Sequence, residues 1–137
     1  MADLFANYEA EIYDGLINDV KPSPIVEAAT IRKLGTAATL VRGTVLAVST
    51  GSSGDGKLVV LGNTAAANET LTPCAILCDD TEVGTGADVK AAVYVAGTFD
   101  PAKLTVKNAY TMTEADKLAL RQGGIYLKAA VDADYTT

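Results

Sequence analysis

Residues 89–99 carry the strongest alternation in the chain. Val89, Ala91, Val93, Val95, Gly97 and Phe99 share one parity; Lys90, Ala92, Tyr94, Ala96 and Thr98 share the other. Successive side chains on a strand point to opposite faces. The first set is apolar throughout and the second is small, with a single lysine. That pattern predicts a strand buried on one side and at least partly covered on the other, either central in a sheet or at a subunit contact. Residues 40–48, Leu-Val-Arg-Gly-Thr-Val-Leu-Ala-Val, form a second β-rich run, with Gly43 marking a bulge or a close backbone approach. A turn follows at Gly51-Ser52-Ser53-Gly54-Asp55-Gly56, and Lys57-Leu58-Val59-Val60-Leu61 returns from it, which predicts a hairpin with a flexible tip. Residues 62–72 are small and polar and read as a loop. A further strand is expected over 73–77, then a polar, glycine-containing connection over 79–88.

One helix is well signalled. Thr113 is the N-cap candidate, Asp116 occupies the capping-box position, and Glu114 favours the positive helix end. Ala115, Leu118 and Ala119 mark the expected inner face, and Gly123 the expected C-cap. Ile125, Leu127, Ala129 and Val131 then alternate as a final strand.

Residues 1–24 behave differently. Leu4, Phe5, Tyr8, Ile12, Tyr13, Leu16 and Ile17 recur at helical intervals, interrupted by Gly15 and ended by Pro22-Ser23-Pro24. This is either a short helix packed on its own domain or an arm that orders against a partner. The expected organisation is an N-terminal arm, 1–24, followed by a compact, β-dominated single domain, 25–137, with one or two short helices.

Composition narrows the function. A chain of 137 residues is long enough to bury a core without a staple. Its net charge of −6 and its scattered lysines and arginines disfavour nucleic acid, whose phosphates need clustered cations. No signal-like or membrane-length apolar run occurs, so a product made in a cytosol and staying soluble is expected, with no membrane partner. Asn68-Glu69-Thr70 has the form of a glycosylation acceptor, which carries no meaning without secretion.

The chemistry on offer is thin. Gly51 to Lys57 match Gly-x-x-x-x-Gly-Lys, yet Leu58 stands where magnesium binding needs Ser or Thr, and a strand follows where a P-loop needs a helix. The match reads as a hairpin tip. No histidine is present, which removes Ser-His-Asp and Cys-His arrangements. Asp79, Asp80 and Glu82 lack EF-hand spacing and read as an acidic turn. Cys74 and Cys78, four apart on one extended strand, would share a face about 13 Å apart at ~3.3 Å per residue, beyond the reach of about 7 Å for a disulfide. They read as reduced apolar fillers. No catalytic residue, metal or cofactor is expected, and an enzyme is not.

Four phrases carry a family resemblance: Arg42-Gly43-Thr44-Val45-Leu46, Ala75-Ile76-Leu77-Cys78-Asp79-Asp80, Ala96-Gly97-Thr98-Phe99-Asp100-Pro101-Ala102-Lys103-Leu104, and Gly123-Gly124-Ile125-Tyr126-Leu127-Lys128. In that order and spacing they resemble the lambda-type bacteriophage head decoration proteins, over about residues 25–130. The resemblance implies a homotrimeric cap on the outer surface of the virion, bound to the major capsid protein at threefold positions and stabilising the expanded head. It implies that the N-terminal segment adds a strand to a capsid-protein loop. Pro22, Pro24, Ile25 and Val26 are then expected near that contact, with Tyr13, Leu16 and Ile17 as anchors. Tyr94, Thr98 and Phe99 are candidates for the trimer interface. A phage tail or baseplate β-domain and a small carbohydrate-binding module are the alternatives, the second requiring an exposed aromatic patch.

Overall fold

Nine strands and one α-helix occupy the described part of the chain, residues 14–129 of a computed structural model. The strands are β1 (Ile17–Asp19), β2 (Ile25–Ile31), β3 (Ala38–Leu40), β4 (Val45–Thr50), β5 (Leu58–Val60), β6 (Thr70–Leu77), β7 (Thr81–Val83), β8 (Val89–Phe99) and β9 (Ile125–Leu127). The helix α1 is Glu114–Gly123. The domain is β-dominated, as its alternating runs predict.

Five strands close on themselves. β8 pairs β2, β2 pairs β5, β5 pairs β4, β4 pairs β6, and β6 returns to β8. All of these pairs are antiparallel except β2–β5, which is parallel and touches only at Ile31 and Leu58. One face of the ring carries the paired side chains Ile31–Leu58, Leu46–Ala75 and Leu77–Val93, which form one apolar cluster with Val83 of β7. The opposite face carries Val45, Ala47, Val59, Ile76 and Tyr94, and a second cluster joins them to Leu16, Phe99, Leu120 and Ile125. α1, β9, β1 and residues 104–112 cover that second face. β3 and β7 form a separate two-stranded ribbon beside the first cluster.

Two bulges shift the parity of the long strands. On β6, Leu46 opposes Ala75 and Ala47 opposes Pro73, which leaves Cys74 as the extra residue. Proline has no N–H for a ladder, and a bulge is where a sheet tolerates it. The strand therefore starts at Thr70, inside the stretch expected to be a loop. The bulge also separates the cysteines: Cys74 packs on the first cluster and Cys78 belongs to the second, so they do not share a face. Both are free thiols.

On β8, Ile25 opposes Ala96 and Val26 opposes Tyr94, so Val95 is extra. Beyond it Gly97 takes φ +141. Odd residues face the first cluster up to Val95, and Phe99 faces the second. Simple alternation sets Tyr94 and Phe99 on opposite faces; the structure instead brings their rings to 5.3 Å between centroids.

The hairpin of β4 and β5 and the capping box follow the sequence closely. Thr113 Oγ1 accepts from Asp116 N at 3.1 Å, and Asp116 Oδ2 accepts from Thr113 N at 3.0 Å. The helix face differs from expectation. Leu120 is buried, while Ala115 and Leu118 are exposed. Asp116 sets this rotation, because its carboxylate is also held by the Tyr110 hydroxyl. One turn further on, Leu120 lies above Asp116 on the same side. Gly124, not Gly123, takes the left-handed cap, at φ +107.

Candidate functional site

Where the chain enters the domain, a short apolar segment lies across the end of β8. Leu16 is 2% exposed in the second cluster, and Ile17 packs against the same cluster from β1. Asp100 N donates to Leu16 O at 3.0 Å, and Ile17 opposes Phe99. Leu16 is thus a core residue of its own chain, which removes it as an anchor for a partner. Tyr13 lies outside the described residues.

Arg42 fixes this entry. Its Nε donates to Asp14 Oδ2 at 2.7 Å, and its Nη1 donates to both Cys78 O and Tyr94 Oη at 2.8 Å. The guanidinium holds the Asp14 carboxyl below the usual carboxylate range. Next to Arg42, Gly43 has φ +93, and a Cβ there would meet Lys103 O at 2.8 Å. The close approach expected at this glycine is therefore real.

From residue 20 the chain turns outward. Val20, Lys21 and Pro22 are exposed and Pro24 is half-buried. Ile25 and Val26 then open β2 at 52% and 53% exposure, and Glu27 and Ala28 are exposed as well. Adjacent strand residues point to opposite faces, so both faces of this half-strand meet solvent. β8 pairs one of its edges throughout, but β5 reaches the other edge only at Ile31. Among the described residues, positions 25–30 therefore have no strand neighbour on that side. An open edge with exposed β-branched side chains is a template for strand addition.

The expected trimer residues are placed otherwise. Phe99 is 0% exposed, Thr98 4% and Tyr94 8%. Thr98 Oγ1 donates to Lys21 O at 3.1 Å, and Tyr94 packs on Phe99 beneath Arg42. Their burial comes from β1, β9 and the returning chain. Among the described residues, the large apolar side chains left exposed elsewhere are Val41, Leu118 and Tyr126. Leu118 and Tyr126 flank a groove between α1 and β9, on the side of the helix opposite to the inner face that the spacing of Leu118 predicts.

The remaining polar groups are tied to the fold. Asp55, in the Gly-x-x-x-x-Gly-Lys stretch, is bridged by Arg32 at 2.9 Å, and Lys57 pairs with Asp88 at 2.5 Å. Arg32 also reaches Glu69 at 2.6 Å, and Glu69 accepts from Ser49. The Arg32 guanidinium draws the Asp55 carboxyl down to about 2. Hydrogen bonds from Ser49, Ala66 N and Arg32 bring Glu69 to about 2. Asp80 accepts from Arg42 N at 2.8 Å. Among the described residues there is no group of three or more Cys, Asp or Glu arranged to hold a metal ion, and no helix long and apolar enough to cross a membrane.

The arrangement is that of a small β-barrel with an open strand edge at 25–30, a groove of mixed charged and apolar lining at α1 and β9, and the β3–β7 ribbon. The family model for the bacteriophage lambda head decoration protein D matches residues 11–125, and the chain belongs to that family of structural phage-head proteins. No curated protein matches the chain.

Proposed function

We propose that this protein caps the outer surface of an expanded phage head as a homotrimer at threefold positions, and that it stabilises the shell by contact alone. The observation that carries the reading is the open, apolar edge of β2 at Ile25 and Val26, on a chain of the head decoration family. A loop or arm of the major capsid protein adds there as a strand. The backbone supplies hydrogen bonds and alternate side chains supply selectivity. Pro22 and Pro24 lead into this edge and lie beside the contact, while Ile17 supports it from within. Residues 1–13 extend the contact from the root that Arg42 fixes at Asp14, with Tyr13 as an anchor.

The physical logic needs no chemistry. Pressure from a packed genome loads the junctions between capsid subunits. A cap that engages several subunits together gains avidity of order 10²–10⁴ over a single contact when the geometry allows simultaneous binding. Cyclic symmetry lets one cap match a threefold site with three equal contacts. The reading involves no nucleic acid, membrane or cofactor.

The test is co-sedimentation with expanded heads that lack decoration, with bound copies counted per capsid subunit. Saturation near one copy per subunit is expected. Failure to sediment with any such head at micromolar protein would sink the proposal.

A further inference from the structure

We propose that residues 131–135 of this chain, Val-Asp-Ala-Asp-Tyr, seat as an added strand in the groove between α1 and β9, held by Lys117 and Arg121. The proposal does not depend on the capsid contact. Residues 130–137 lie outside the described residues. The groove, the exit of the chain beside it and the sequence that follows are what point to this seat.

The groove is a strand edge next to a helix. β9 pairs with β8 along one edge, where Gly97 N donates to Gly124 O and Lys128 N to Phe99 O. Backbone groups alternate in direction along a strand, so Leu127 turns its N–H and C=O to the other edge. Among the described residues no strand pairs with β9 there. Glu114, Lys117, Leu118 and Arg121 line the groove from α1, and Tyr126 and Leu127 from β9. Leu118 is 54% exposed and Tyr126 41%. An unpaired edge flanked by apolar side chains accepts an extended segment through backbone bonds and alternate side chains.

The chain leaves β9 beside this groove. Lys128 Nζ bridges Asp19 at 3.4 Å, and Asn18 Nδ2 donates to Lys128 O, so the exit is fixed to β1. Lys128, Ala129 and Ala130 then suffice for a turn, since hairpin loops of about two to five residues are common. Five extended residues span about 16 Å at ~3.3 Å each. The helix from Glu114 to Arg121 is only about 10 Å long at ~1.5 Å per residue. A segment tethered this closely faces the groove at an effective concentration of order millimolar, which favours it over the same segment of another copy.

Composition matches the lining. Val131, Ala133 and Tyr135 share one strand parity, and Asp132 and Asp134 the other. Leu118 and Tyr126 need apolar cover, and Lys117 and Arg121 need carboxylates. Lys117 bonds Glu114 at 3.3 Å, whereas Arg121 has no ion pair among the described residues. One carboxylate against two cations leaves the groove positive, and the segment brings two carboxylates and no cation. Seated there, it covers Leu118 and Tyr126 and blunts the β9 edge against edge-to-edge association. The open half of β2 is left for a partner.

The experiment is amide hydrogen exchange by NMR on the full chain and on three variants. These are Asp132→Lys with Asp134→Lys, Lys117→Glu with Arg121→Glu, and all four changes together. Lys117 and Arg121 are exposed, and slow exchange in β4 and β8 checks that each variant folds. In the unaltered chain, Leu127 and alternate amides over 131–135 should exchange at least tenfold slower than in an unstructured peptide. Each charge reversal should remove that protection, and the four changes together should restore most of it. Unprotected amides over 131–135 in the unaltered chain overturn the proposal. Protection that the charge reversals leave unchanged also overturns it. So does protection that grows with protein concentration, which would assign the groove to a second copy.

Discussion

Arg42 grips Asp14 at 2.7 Å and, with the same guanidinium, the hydroxyl of Tyr94 at 2.8 Å. One side chain thereby joins the root of the N-terminal segment to the central strand. The arm proposed to reach the capsid springs from a point that is fixed to the core, which shortens the ordering cost of binding. Replacing Arg42 by Ala leaves Tyr94 Oη and Cys78 O without this donor. Burying such groups unpaired costs about 1–3 kcal/mol each when water does not reach them. Since Arg42 lies near the surface, a loss of about 2 kcal/mol is expected, read as a lower urea midpoint at unchanged slope. Lysine should not rescue it, because a point charge does not span both partners.

The Arg32–Asp55–Glu69 cluster predicts acid sensitivity. Both carboxyls sit at about 2 in the folded chain, below the ordinary range near 4. The unfolded chain therefore binds more protons between these values, and the stability they contribute, complete above about pH 4.5, is lost as pH falls toward about 2. The midpoint of thermal unfolding should drop across that window. In Arg32→Ala the drop should be shallower through Asp55, and equal slopes in the two proteins would remove the Arg32–Asp55 pair as a cause.

Gly62 has φ +106, and a Cβ there would lie 2.7 Å from Cβ and Cγ of Tyr110. Tyr110 in turn bonds Asp116 and so holds the capping box. Gly62→Ala combines a left-handed backbone with a clash, and a cost of about 2 kcal/mol or more is expected. Chemical denaturation measures it directly. Loss of helical ellipticity ahead of the main transition would show that α1 loosens first.

Ile25→Asp with Val26→Asp places two charges on the open half of β2. Because both side chains are about half exposed, the fold and the trimer should survive. Head binding should fall at least tenfold, about 1.4 kcal/mol. Unchanged co-sedimentation would move the capsid contact away from this edge.

What the chain determines locally was legible in it. The β4–β5 hairpin, the long β8, the Thr113–Asp116 box and the constraint at Gly43 each depend on residues a few positions apart, and local alternation, turn chemistry and capping encode such relations directly. The four short phrases also carried the family. Tertiary structure alone decided the rest. The β6–β8 and β2–β5 pairings close the ring between residues remote in sequence. The bulges at Cys74 and Val95 then reverse parity, which buries Phe99 beside Tyr94 and parts the two cysteines. Leu16 looks like its neighbours in the N-terminal stripe, yet it is core because β8 ends where it arrives. Leu118 looks like an inner residue, yet Asp116 turns it outward through its bond to Tyr110. Apolar periodicity states that a face will be covered. Which partner covers it, another strand of the same chain or a second molecule, depends on how distant segments meet.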